Sequence, residues 1–333
     1  MPKSRNELTD RPKVDHVGTT DVLSDLLDTL RLATFIYGRF EVGAPWGFRL
    51  PDEQSARIIV VVRGAARVEV AGSRRPLALS AGDLALLPHG GAHTLRDAEG
   101  SELHLLGDNE CRQISAAEPV RFGSDGTQTT LIIAAFRFRA THRTQSIQRL
   151  ARAIHIPAGG AATSPSLTSA MQMLATESAT RAPGSAVIVN RLADILLVQA
   201  IRAFIAGSGC PEHGLRSLAD SRIGKAMALI HERPAEPWTV ESLGAAVALS
   251  RSGFAARFSE LVGETPLEYL AQWRMTKAAQ LLRDTDLSIG EVAERVGYQS
   301  EASFNRAFKR LERVTPGAYR RGGDADQHGA AAL

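Results

Sequence analysis

Two periods of apolar residues divide the chain. From Phe35 to Phe138 they come in short runs separated by Gly, Pro and Asp: Phe35 to Glu41, Arg57 to Val62, Ala66 to Ala71, Leu84 to Pro88, Leu103 to Leu106 and Thr129 to Phe138. Runs of that length and spacing predict the strands of an antiparallel barrel or jelly roll. A helix precedes them, starting at Asp21 with Leu23, Leu26, Leu27 and Leu30 on one face. After about Ser164 the period lengthens to that of a helix. Leu167, Met171 and Leu174 mark one helix, Ala182-Pro183-Gly184 breaks it, and a second runs from Ala186 to Ile205 with Ile188, Leu192, Ile195, Leu196 and Gln199 along a seam.

The last hundred residues carry one helical pattern written twice. The copies begin at Thr239 and Ser288, and each runs through a short apolar helix, a turn and a longer helix with paired phenylalanines. Phe254, Phe258 and Leu261 repeat as Phe304, Phe308 and Leu311, and each copy ends in the same phrase, Thr265-Pro266 to Tyr269 and Thr315-Pro316 to Tyr319. An internal repeat of two helices joined by a tight turn predicts paired helix-turn-helix units. Ser250 and Ser300 are placed to cap the second helices, and Ser288 with Glu291 makes a capping box. The phenylalanine stripe is the core side of each second helix and leaves the opposite face free for a ligand. Between the copies, Thr265, Pro266 and Glu268 start a helix that should reach about Arg283, roughly 27 Å at 1.5 Å per residue. Such a spacer would set two readers about one DNA turn apart.

From Arg222 to Arg321 the chain resembles the DNA-binding domain of the AraC/XylS transcription regulators. The resemblance rests on Trp273-Arg274-Met275, on Ala278 to Leu282 and above all on Ile289 to Arg310, which reads IGEVAERVGYQSEASFNRAFKR. It implies that the second helix of each unit enters the major groove of double-stranded DNA. The groove-facing positions would be Arg251, Ser252, Ala255 and Ala256 in the first unit, and Glu301, Ala302, Asn305, Arg306 and Lys309 in the second. Asn305 has the chemistry to pair with adenine and Arg306 with guanine, whereas Ala255 and Ala256 offer at most apolar contact to a thymine methyl. Arg251 and Arg257 are candidates for phosphate contact, which positions the protein without reading sequence. Ala248 stands where relatives have glycine, at a cost of up to about 1 kcal/mol if φ there is positive. The first unit is therefore expected to be the looser reader.

In the strand-rich part, Gly82, Pro88, Gly90 and His93 resemble the second motif of the cupin superfamily, as do the AraC-type cupin domains. His89, His93 and His104 could supply nitrogen ligands to a metal, yet the upstream half of a metallocupin site is missing. Pro51, Asp52 and Glu53 occupy that neighbourhood, and Arg57 stands where the glutamate would be. A guanidinium repels a divalent cation and invites a carboxylate or phosphate. We therefore expect no metal, no cofactor and no catalytic residues, and take Trp46, Arg57, His89 and His93 as candidates for binding a small-molecule effector.

Composition narrows this reading without changing it. The chain has 333 residues, enough for two or three cores, and a formal net charge of +3 that alone would not imply nucleic acid. Local charge says more: Arg306, Lys309, Arg310, Arg313, Arg320 and Arg321 face only Glu301 and Glu312. Cys111 and Cys210 have no paired spacing, which fits a reducing compartment, and residues 1–20 lack the apolar stretch of a signal peptide, so the cytoplasm is expected. Arg191, Asp194 and Arg202 interrupt the second connector helix, which argues against a membrane span.

The expected fold class is α+β: a cupin-like antiparallel β-barrel, a helical connector and an all-α C-terminal domain with two helix-turn-helix units. The boundaries are a disordered arm over 1–20, the cupin-like domain over 21–160, a helical dimerisation or connector region over 161–206, a linker over 207–221, the DNA-binding domain over 222–321 and a disordered tail over 322–333. The function this implies is sequence-specific transcription regulation by a homodimer, with RNA polymerase a further partner. The alternative is a cupin metalloenzyme, a dioxygenase or isomerase, fused to a DNA-binding domain. An adaptor that binds DNA without an effector also stays open.

Overall fold

Eleven strands carry the N-terminal half in the computed structural model, which describes residues 21–25, 33–52, 55–73, 75–106, 118–137, 151–160, 163–180, 182–207, 217 and 220–329. They are β1 (Ala33–Gly43), β2 (Gly47–Leu50), β3 (Ala56–Arg63), β4 (Ala65–Val70), β5 (Leu77–Ser80), β6 (Leu84–Leu87), β7 (His93–Arg96), β8 (His104–Leu105), β9 (Val120–Gly123), β10 (Gln128–Arg137) and β11 (Ile154–Ile156). Two sheets form, in the orders β11-β6-β3-β10-β1-β9 and β5-β4-β7-β2-β8. The pairing is antiparallel except that β9 joins β1 and β8 joins β2 in parallel, so the jelly roll has mixed edges. Strands β2, β5, β7, β9 and β11 were not foreseen. Each spans only three or four residues.

The larger sheet is covered on both faces. Phe40, Phe48, Ile59, Val61, Leu95 and Ile133 fill the space between the sheets, while Ile58, Val60, Leu86, Ile132 and Phe136 point outward onto two helices, α1 (Pro165–Ala179) and α2 (Ser185–Ala206). Burial on both sides explains why β3 reads as an unbroken apolar run. The seam expected on α2, open to a dimer contact or to packing against the chain's own sandwich, is divided between the core and the surface. Leu192 and Leu196 are buried in the chain's own core with Val189, Ala193, Leu197, Ala200 and Ala203, whereas Ile188 and Ile195 are 45% and 47% exposed. The buried stripe is rotated from the expected one because alanines at 193, 200 and 203 let α2 lie close against its neighbours. A pattern weighted to large side chains misses them.

The C-terminal part holds α3 (Ser221–Glu232), α4 (Val240–Ala246), α5 (Arg251–Val262), α6 (Pro266–Asp284), α7 (Ile289–Arg295), α8 (Glu301–Glu312) and α9 (Pro316–Gly329). Every foreseen cap is formed: Thr239, Ser250, Thr265, Ser288 and Ser300 each accept a backbone N–H three residues on. The spacer α6 serves two cores at once. Trp273 is buried with Phe254, Phe258 and Tyr269 of the first unit, and Met275, two residues later, with Phe304 and Phe308 of the second. Between them Arg274 donates to the carbonyls of Pro234 and Glu236 and lies over the Tyr298 ring at 5.8 Å. Gly297, at φ 85°, abuts this junction, and a Cβ there would stand 2.7 Å from the Cα of Ala235.

At the C-terminal side, α9 runs from Pro316 to Gly329. Its first turn is set by the Thr315 cap and Pro316, and propagation then adds one hydrogen bond per residue. At the other end, a helical turn over residues 22–25 joins the first helix-turn-helix core: Val22 is 7% exposed among those side chains, and the Asp25 carboxylate lies 3.0 Å from Nδ1 of His231. The arm over 1–20, the rest of the first expected helix (Leu26, Leu27 and Leu30), Glu53, both cysteines and linker residues 208–216 lie outside the described residues. Among the described residues no helix is long and apolar enough to cross a membrane.

Candidate nucleic-acid interface

The two second helices, α5 and α8, share one scaffold. Each follows a serine cap, buries two phenylalanines four residues apart, and so turns the opposite side outward at 100° per residue. On α8 that side carries Ala302, Arg306 and Arg310, with Lys309 exposed beside them and Asn305 half-buried on the flank. On α5 the matching positions hold Ser252, Ala256 and Glu260, with Ala255 half-buried where α8 has Asn305. Arg310 and Glu260 were not among the sequence candidates. The signal for Arg310 was its place one helical turn beyond Arg306.

The structure separates some candidates from the exposed faces. Arg257 is held by Asp220, the N-cap of α3: its Nε and terminal nitrogen both reach Oδ2, at 2.9 and 2.5 Å. Glu301 leans toward the first turn of α7, where a Cβ on Gly290 would meet its Oε2 at 3.3 Å. An acid in the first turn of α8 also suits the positive end of that helix. Arg251 and Ser252 are exposed in the first turn of α5. Ala248, in the turn before it, has φ 56°, the left-handed conformation that disfavours alanine.

In the sandwich the structure brings Arg57 and His93 together but not all four effector candidates. Arg57 is fully buried and donates to the carbonyls of Pro51 and Gly90, with His93 Nδ1 at 3.2 Å. His93 Nδ1 lies only 2.8 Å from the Gly91 carbonyl, a distance that calls for a proton on Nδ1 and leaves Nε2 as the bare acceptor. Burial, with the Arg57 charge beside it, pushes the His93 pKa down to about 4, so the ring is neutral at pH 7. Trp46 is elsewhere: the register places it beside Asp97, four residues along β7 from His93, or about 13 Å. His89 is half-buried in the turn after β6, and His104 is exposed, its ring 5.8 Å from that of Phe122. Among the described residues no three His, Cys, Asp or Glu side chains gather as a metal site would require.

The cupin motif itself acts as a brace. Gly82, at φ 89°, makes the turn, and Asp83 accepts the backbone N–H groups of Ser80 and Ala158 and meets His155 at 3.1 Å. Burial opposes ionisation of Asp83, but these hydrogen bonds outweigh it and hold its pKa below the usual carboxylate value.

Comparison with known proteins agrees with this arrangement. A cupin family model matches residues 21–206, more than half of the chain, and a helix-turn-helix domain model matches residues 243–322. A Streptomyces lividans relative designated an AraC-like transcription regulator is 32% identical over 303 residues, covering 90% of this chain and 98% of its own. The HTH-type transcriptional regulator AlkR of Acinetobacter baylyi is 31% identical, covering 90% of this chain and 99% of its own. Among solved structures, the DNA-binding domain of the transcription factor AdpA in complex with a target DNA is 34% identical, covering 32% of this chain and 96% of that one, with a TM-score of 0.31. With a cupin domain ahead of two helix-turn-helix units, and relatives matched over nearly their whole length, this chain belongs to the AraC-type DNA-binding transcription regulators.

Proposed function

We propose that α5 and α8 lie in successive segments of the major groove and that α8 does most of the base reading. One observation carries this: the exposed face of α8 presents Arg306 between Lys309 and Arg310, while the same face of α5 presents Ser252, Ala256 and Glu260. Arg306 is suited to guanine and Asn305 to adenine, and Lys309 and Arg310 to phosphate. On α5, Arg251 meets the backbone and Ala255 and Ala256 offer only apolar contact. The sandwich is a sensing module and not a catalyst. Supporting that reading, His93 Nε2, beside Arg57, is buried without a hydrogen-bond partner among the described residues, a place that a bound molecule could satisfy. The protein works in the cytoplasm as a homodimer and meets RNA polymerase at its promoters. With Leu192 and Leu196 committed to the chain's own core, the dimer contact moves to the exposed Val187, Ile188 and Ile195 of α2.

Selection from a randomised duplex library tests the central claim. The expected product is a site whose information is concentrated in the half contacted by α8. Two equally informative halves would refute the division of labour, and no enrichment at all would refute sequence-specific reading.

A further inference from the structure

The Asp220 carboxylate divides its two oxygens between two tasks. Oδ1 accepts the backbone N–H groups of Arg222 and Ile223, both at 3.0 Å, and so caps α3. Oδ2 takes the Arg257 guanidinium through two nitrogens. Pinned by the cap, the carboxylate cannot swing away, so this pair costs less side-chain entropy than an ordinary surface pair. The Arg257 side chain is 54% exposed and that of Asp220 12%. Arg257 sits one residue after Ala256, on the flank of the outward face of α5. A helix about 10–12 Å across fills a major groove about 12 Å wide, so residues on its flanks meet the sugar-phosphate walls. Arg257 is therefore placed for a phosphate but held by a carboxylate.

We propose that Asp220 withholds Arg257 from DNA, so that the residue at the entry of the linker into the DNA-binding unit sets how strongly the first recognition helix grips the backbone. This rests on the reading that α5 lies in the groove. It gives the looser reading proposed for the first unit a second cause besides its alanines: an arginine on the flank of α5 is already paired. A change in the path of the linker that shifts Asp220 would release one cation to the DNA. Depressed by the Ile223 and Arg222 N–H groups and by Arg257 against the opposing effect of burial, the Asp220 pKa stays low, and the latch is charged at neutral pH.

The test uses the full-length chain and a random-sequence duplex, with affinity followed as salt is raised. The substitution Asp220→Asn keeps an oxygen for the cap but removes the charged acceptor for Arg257. The expected result is a log-log salt slope steeper by about 0.9, one released counterion, which makes the affinity ratio to the parent fall about 3- to 4-fold from 50 to 200 mM. In an Arg257→Ala background the same substitution should leave the slope unchanged. Asp220→Ser, another capping residue without charge, should reproduce the steeper slope. Parallel salt lines for Asp220→Asn and the parent overturn the proposal, as does equal steepening with and without Arg257, or disagreement between the Asn and Ser variants. Ala256→Lys separates the two claims. A steeper slope there with none from Asp220→Asn rejects the latch alone, and no change from Ala256→Lys removes α5 from the groove and the latch with it.

Discussion

The two helix-turn-helix units are built alike and face outward differently. Their buried sides share the same parts: a capped first helix, a serine cap on the second, two phenylalanines and a tyrosine packed edge-on against the second of them. Their outward sides share almost nothing, with Ser252, Ala256 and Glu260 opposed to Ala302, Arg306 and Arg310. Their turns differ too. The second is one residue longer between caps and uses Gly297 at φ 85°, where the first forces Ala248 into φ 56°. Packing constrains the inside of both units in the same way, because a core phenylalanine has few substitutes. Nothing in the fold constrains the outside, which is left to the DNA.

Four experiments probe that contrast. The largest effect is expected where the units agree: Phe258→Ala and Phe308→Ala should each cost about 3–5 kcal/mol in urea unfolding. A clear inequality between them would mean that the scaffolds are not equivalent. Gly297→Ala comes next, at about 2–4 kcal/mol, since it adds a left-handed alanine to a backbone overlap with Ala235. If its unfolding midpoint matched the parent, the junction between units would be looser than the packing implies. Arg306→Ala should lose about 1–3 kcal/mol on the selected site and relax preference at one base pair, while Ser252→Ala changes specific binding by less than about 0.5 kcal/mol. Comparable losses from both would end the ranking of the readers. The smallest effect is a gain: Ala248→Gly should raise stability by up to about 1 kcal/mol by relieving φ, and a lower melting temperature would show that the turn does not strain the alanine.

How much of this was legible depends on whether the signal was local. Caps are local, and Thr239, Ser250, Thr265, Ser288 and Ser300 all stand where a reader of the chain would put them. Paired phenylalanines at i and i+4 report a buried stripe directly. The Asp220 to Arg257 pair joins residues 37 apart and left no mark in the sequence, so Arg257 looked available. The effector candidates scattered for a related reason. Trp46 stands just before β2 and His93 opens β7, but the register that separates them is fixed by a pairing of β2 with β7 that neither short strand announces. The face of α2 was misjudged because alanines carry the close packing, and alanine has no strong periodic signature.

The contact between Asp25 and His231 spans 206 residues of chain. At roughly 5–20 residues per second, the ribosome needs about 10–40 s to deliver the second partner after the first. During that time both sheets, α1 and α2 are already complete in sequence and free to fold, while Val22 waits for the core that will bury it. The turn over residues 22–25 thus precedes its partners by the whole of the sandwich and both connector helices. The first helix-turn-helix core takes in Val22 only after residues 223–273 have been synthesised.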